Sequence, residues 1–160
     1  FQGCPFHCDG CFNPETWDFN AGKLFDDKAK QHLFDQLEKP YIKGITFSGG
    51  HPLESENIET VIALCKEIKE KYPTKDIWVY TGHTLSELYY HNKLRILLHI
   101  DVLIDGPYIE EERDVTLPFR GSKNQRIIDT KESLKNNKVC LVDKYYLTKN
   151  KKNERERMYI

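Results

Sequence analysis

Three of the five cysteines, Cys4, Cys8 and Cys11, fall within eight residues in the spacing C-x3-C-x2-C. Thiolates held that close repel one another unless they bind a metal or oxidise. An odd cysteine count with one tight triplet is not a secreted disulfide framework; it reads as metal or iron–sulfur ligation in a reducing cytoplasm. Three sulfurs are one ligand short of a closed tetrahedral site. Either a fourth ligand is borrowed, or one position is kept open for something the protein binds. Three thiolates can hold three irons of a cubane cluster and leave the fourth exposed. A zinc ion with His7 or a distant residue as fourth ligand satisfies the same spacing.

Four further stretches carry groups suited to a binding site. In Ser48-Gly49-Gly50-His51 the two glycines follow a short apolar run, where they let a ligand approach the backbone and where bare carbonyls can accept from an ammonium group. The alternative is a plain strand-to-helix turn. A neutral His51 can accept a hydrogen bond or cap that turn. Tyr80-Thr81-Gly82-His83 and Asp105-Gly106-Pro107-Tyr108 end two more apolar runs, and Asp105 places a carboxylate at such an end. Arg120-Gly121-Ser122-Lys123-Asn124-Gln125 offers a guanidinium for a carboxylate and small polar groups for ribose hydroxyls. Its alternative is an ordinary polar turn.

The elements that must position these groups follow from periodicity. Asp26 and Asp27 cap a helix carrying Ala29, Leu33 and Leu37, stopped at Pro40. Gly44 to Phe47 reads as a strand. Ile58, Val61, Ile62, Cys65 and Ile68 line one face of a second helix ending near Tyr72-Pro73, which makes Cys65 a core residue. Ile77 to Tyr80 is a second strand, Thr84 to Leu98 a third helix, and Val102 to Ile104 a third strand. Helical connections between short apolar strands argue for a parallel sheet with ligands at its carboxyl edge. The cysteine loop joins that edge if a strand precedes it, and a chain opening at Phe1 places that strand in a missing N-terminal piece. Tyr108 to Pro118 reads as an acidic loop, and Arg126 to Ile128 as a short strand. Residues 139–142 and 145–147 read as a hairpin or edge strands, and 149–157 as a frayed tail or exposed helix.

The 160 residues, 39% apolar and 31% charged, suit one domain with a substantial core. A net charge of -1 gives no overall attraction to nucleic acid or membrane, and no apolar run approaches bilayer length.

The cysteine spacing resembles the signature of the radical S-adenosylmethionine enzymes. That resemblance implies a [4Fe–4S] cluster on Cys4, Cys8 and Cys11 whose open iron binds S-adenosylmethionine. It also implies a shortened, partial parallel β/α barrel over residues 1–130, with 131–160 as a C-terminal extension. Ser48-Gly49-Gly50-His51 resembles that family's glycine-rich segment, with His51 where an acidic residue is common. Gly10 stands where an aromatic usually precedes the third cysteine, and Phe12 follows it. Cys-Pro…Cys-x-Gly-Cys-Phe-Asn is similar to the activating proteins of anaerobic ribonucleotide reductase, as are the strand ends at Tyr80 and Asp105 and the Arg120 to Gln125 motif. The resemblance implies that Phe12, Ser48, Gly49, Gly50, His51, Tyr80, Asp105, Arg120 and Ser122 bind the cofactor. It implies reductive cleavage of S-adenosylmethionine, an electron from flavodoxin or ferredoxin, and a glycyl radical formed on the large reductase subunit. The alternatives are an activase of another glycyl radical enzyme, of the pyruvate formate-lyase type, and a non-enzymatic zinc-binding adaptor.

Overall fold

The computed structural model describes residues 1–146. The expected tail at 149–157, and Leu147 of the expected hairpin, lie outside the described residues. Four strands form one sheet in the order β1 (Gly44–Phe47), β2 (Asp76–Tyr80), β3 (Val102–Asp105), β4 (Arg126–Asp129). The first three are parallel, with Thr46 beside Trp78 and Trp78 beside Val102. β4 is antiparallel to β3, pairing Asp105 with Arg126 and Leu103 with Ile128. The sheet is therefore mixed, not wholly parallel. A parallel return needs a crossover that carries the chain back across the sheet, usually a helix. Residues 106–125 hold no helix longer than a 3-10 turn, Glu110–Glu112, and fold back on themselves through a bridge between Arg113 and Ser122, so the chain re-enters from the edge where it left.

α1 (Asp27–Leu37) starts where Asp26 Oδ1 accepts from the Ala29 amide at 2.8 Å. α2 (Ile58–Lys71) presents Val61, Ile62, Cys65 and Ile68 to the sheet. These meet Ile77 and Val79 of β2, Leu103 of β3 and Ile128 of β4 in one buried layer. Each fully buried aliphatic side chain there contributes about 1.5–3 kcal/mol. The intervening strand residues face the other side, as the period of two requires. On that side Val102, Ile104 and Ile127 pack with Trp78, Tyr80, Val142, Tyr145 and Tyr146. The helices α1 and α2 thus share one sheet face, and aromatic side chains dress the other.

The expected helix over 84–98 is broken. α3 (Leu85–Tyr90) begins with a reciprocal cap between Thr84 and Glu87. It ends at Asn92, whose φ of 55° turns the chain; Lys93 N–H returns to Leu88 O at 2.8 Å. A 3-10 segment, Leu94–Leu98, then buries Ile96 and Leu97. Past β4, Asp129 caps α4 (Thr130–Asn136), an element with no apolar periodicity to announce it. Residues 139–146 form no hairpin: Leu141 makes one isolated bridge to Ile128, and Asp143–Tyr145 is a 3-10 turn. Among the described residues no helix is long and apolar enough to cross a membrane.

Candidate functional site

The cysteine loop is tied down on both sides. Gly50 N–H donates to Phe1 O at 2.8 Å and His51 N–H to Gly3 O at 2.7 Å. Gly3 N–H donates to Thr16 O at 2.9 Å and Cys4 N–H to Trp17 O at 3.1 Å. The stretch before Cys4 therefore lies between the turn after β1 and residues 16–17. Gly50 makes this possible: a Cβ there would sit 2.6 Å from Gly3 O and 2.9 Å from Thr16 O. The glycine turn thus admits the cysteine loop's own backbone, a role that a sequence reading would assign to a ligand. Within the loop, Cys11 N–H closes a turn onto Cys8 O at 3.1 Å, and Gly10 takes a φ of 69°, a conformation that side chains with a Cβ avoid.

Cys4, Cys8 and Cys11 are partly buried and line one cavity of about 550 Å³ at the carboxyl ends of β1 and β2. Burial raises the Cys4 thiol above its ordinary pKa, and the charges of Cys8 and Cys11 add to the shift. Burial likewise raises Cys8, with Cys11 adding to it. The thiolates of Cys4 and Cys8 are thus disfavoured here without a cation to hold them. Cys65 is fully buried in the core and Cys140 lies beside α4, so neither joins the three.

Ser48, Gly49, Gly50, His51, Tyr80 and Arg120 line the same cavity as the cysteines. Phe12 stands at its mouth, 96% exposed. Asp105 and Ser122 do not line it. Asp105, 1% exposed, receives Arg126 Nε on one oxygen at 2.9 Å and the Leu85 amide on the other at 2.9 Å. Ser122 is fully buried and its Oγ accepts from Ile109 N–H. Most of the Arg120 to Gln125 motif builds its own turn: Gln125 Oε1 accepts from Gly121 N–H at 2.9 Å, and Asn124 Nδ2 donates to Pro107 O at 2.7 Å. Arg120 lines the cavity, its guanidinium 4.5 Å over the Tyr146 ring and its Nη1 donating to Gln125 O at 3.2 Å.

His51 lines the cavity, but its nitrogens turn inward. Nδ1 lies 2.7 Å from Glu54 Oε1 and Nε2 lies 2.7 Å from Thr81 Oγ1. Glu54 as a carboxylate can only accept, so Nδ1 carries the hydrogen and Nε2 accepts from Thr81. Burial lowers the His51 pKa to about 4 against the pull of Glu54. Burial would raise Glu54, but the His51 hydrogen bond and the Lys93 charge outweigh it and hold the carboxyl below its usual value. His83 belongs to this network, its ring 5.0 Å from both His51 and Phe6. His51, Glu54 and His83 lie close enough to ligate a cation, yet Lys93 Nζ already sits 3.2 Å from Glu54 Oε1 and supplies the positive charge. The group is a brace behind the cavity.

Thr81 and Tyr108, from the strand-end stretches named above, line the cavity too, and so do Phe6 and Trp17, which the sequence does not mark as site residues. Trp17 carried the one legible hint, a tryptophan in an irregular stretch beside three cysteines. Among the described residues, three buried side-chain atoms have no hydrogen-bond partner: Trp17 Nε1, Arg120 Nε and Asn124 Oδ1. Such a group costs about 1–3 kcal/mol when left unpaired. Two of the three belong to cavity-lining residues, Trp17, whose carbonyl accepts from Cys4 N–H, and Arg120. The donor set therefore suits an iron–sulfur cluster on the three thiolates and an anionic group near Arg120.

Comparison with known proteins agrees with this donor set. Residues 1–128 match the 4Fe-4S single cluster domain family. The anaerobic ribonucleoside-triphosphate reductase-activating protein of Haemophilus influenzae is 46% identical over 128 residues, covering 79% of this chain and 82% of that protein. The proteins of that name from Enterobacteria phage T4 and Escherichia coli K12 are each 38% identical, over 125 and 126 residues. These alignments cover 78% of this chain in both cases, and 78% and 81% of those proteins. No solved structure matches. A cysteine triplet, a cavity at the strand ends and kinship over most of its length together mean that this chain belongs to the family of anaerobic ribonucleoside-triphosphate reductase-activating proteins, within the 4Fe-4S single cluster domain family.

Proposed function

We propose that the protein is an activase that binds a [4Fe–4S] cluster through Cys4, Cys8 and Cys11 and uses it with S-adenosylmethionine to place a glycyl radical on anaerobic ribonucleotide reductase. The observation that carries this reading is the convergence of the three thiols and Arg120 on one cavity. When bound, the cluster supplies one electron, taken from a reduced flavodoxin or ferredoxin, to cleave the sulfonium into methionine and a 5′-deoxyadenosyl radical that takes a hydrogen atom from a glycine of the reductase.

The chain's own residues hold, orient and shield. The Gly50 turn fixes the cysteine loop against β1. Arg120, with an unpartnered Nε, is suited to a carboxylate of the cofactor. Phe6 and Tyr80 give the cavity apolar walls that keep water from a radical. His51 acts through its ring edge and backbone, because Glu54 and Thr81 engage both of its nitrogens. We assign Asp105 and Ser122 a supporting role behind the site, and Phe12 a place at the open mouth where the reductase loop enters. The one-sided helical cover of the sheet suits a partial β/α barrel of the radical S-adenosylmethionine type. Its core is read as residues 1–130, with 131–160 an extension, in a reducing cytoplasm.

The test is anaerobic iron–sulfide reconstitution of the wild type and of Cys4→Ser, Cys8→Ser, Cys11→Ser and His7→Ala. About four irons per chain are expected in the wild type and in His7→Ala, and a lost cluster in each cysteine variant. Mixing the loaded protein with S-adenosylmethionine, a reductant and the reductase then yields a glycyl-radical EPR signal. A colourless protein that retains one zinc after reconstitution overturns the reading in favour of an adaptor. A signal that forms only on a glycyl radical enzyme of the pyruvate formate-lyase type reassigns the partner.

A further inference from the structure

We propose that the indole N–H of Trp17 donates a hydrogen bond to a sulfur of the cluster and so raises the cluster's reduction potential. The inference rests on the reading that Cys4, Cys8 and Cys11 hold a [4Fe–4S] cluster.

Trp17 and Cys4 both line the cavity that contains the three cysteines, and both line the cleft behind it. The indole therefore stands in the wall between the two spaces. It is held there by its backbone, whose carbonyl accepts from Cys4 N–H at 3.1 Å, and by His7, whose ring lies 4.7 Å away at a 40° tilt. Its Nε1 is buried and, among the described residues, meets no acceptor. An indole nitrogen is a donor only. The acceptors that a cluster brings to this wall are its thiolate and sulfide sulfurs.

A donor aimed at cluster sulfur favours the reduced form, which carries one more negative charge. Arg120 Nε is the other buried donor without a partner on a cavity residue, but its guanidinium is held by the Tyr146 ring and by Gln125 O, whereas Trp17 is bonded to Cys4 through its backbone. Trp78, the second tryptophan, packs on Phe119 and Tyr145 and does not line the cavity. The two tryptophans therefore serve as test and control.

The experiment is an EPR-monitored redox titration of reconstituted wild type, Trp17→Phe and Trp78→Phe, after iron and sulfide have been counted. Trp17→Phe is expected to keep its iron and to lose about tenfold in the reduced-to-oxidised ratio at a fixed potential, which is ~59 mV for one electron. Trp78→Phe is expected not to move. Full iron with an unshifted potential in Trp17→Phe overturns the proposal while leaving the cluster reading intact. A wild type that takes up no iron overturns the cluster reading itself. Should Trp17→Phe fail to assemble, wild-type protein carrying indole-15N tryptophan decides: pulsed EPR of the reduced cluster shows a 15N coupling if the bond exists, and its absence overturns the proposal.

Discussion

Arg126 forks across Asp105 where β4 begins and β3 ends, with Nε 2.9 Å from Oδ1 and Nη2 2.5 Å from Oδ2. The two residues are register partners in the antiparallel pair. A carboxylate at a strand end, which reads as a cofactor ligand from sequence, is thereby neutralised by its own sheet neighbour. Removing one member of a buried pair leaves the other uncompensated, at about 3–5 kcal/mol. Arg126 is partly exposed, which places Arg126→Ala near the lower bound. Urea unfolding is expected to show that loss, while reconstituted Arg126→Ala keeps its iron. Lost iron without lost stability would return Asp105 to the cofactor site.

Gly50→Ala tests the seating of the cysteine loop. The added methyl meets two backbone carbonyls, of Gly3 and Thr16, and neither can rotate away as a side-chain end can. The loop must shift by several tenths of an ångström, enough to spoil a shared cluster site. Iron per chain after reconstitution is expected to fall well below the wild type. The sheet lies outside the affected loop, and the far-ultraviolet circular dichroism is expected to be unchanged.

Arg120→Ala removes the cavity guanidinium and leaves the Gln125 contacts to Gly121 and Ser122 in place. A charge-assisted hydrogen bond is worth about 1.5–3 kcal/mol, so affinity for S-adenosylmethionine should fall roughly ten- to a hundredfold. Calorimetric titration of the cluster-loaded variant measures it. Unchanged affinity would remove Arg120 from the cofactor contacts.

Acid should destabilise the fold through His51. Its folded pKa is lowered from 6.5 to about 4 by burial, so between those values the unfolded chain binds the extra proton. Stability therefore rises with pH across that window and is lost as pH falls from about 6.5 towards 4, by on the order of 2–3 kcal/mol. Glu54, also held low, contributes stability that is lost in the same direction at the acid end. Chemical denaturation of cluster-free protein from pH 7 to 4.5 is expected to show a steeper decline for the wild type than for His51→Gln. Parallel declines would mean that another group carries the acid sensitivity.

The sequence by itself determined the cysteine triplet, the three parallel strands with their glycine ends and the two long helices. These are local properties: ligand spacing, turn chemistry and a buried stripe of period 3.6 are each written in neighbouring residues. The family motif at Arg120 was legible in the same way. Tertiary structure decided what those residues meet. It turned β4 antiparallel, because residues 106–125 supply no crossover. It drew Asp105 to Arg126 and Ser122 to Ile109, away from the cavity, while Arg120 stayed on it. It closed His51 onto Glu54 and Thr81, and left Trp17 beside Cys4 with a buried hydrogen to donate. Distances between residues far apart in the chain are set by packing of the whole sheet, and no local pattern encodes them.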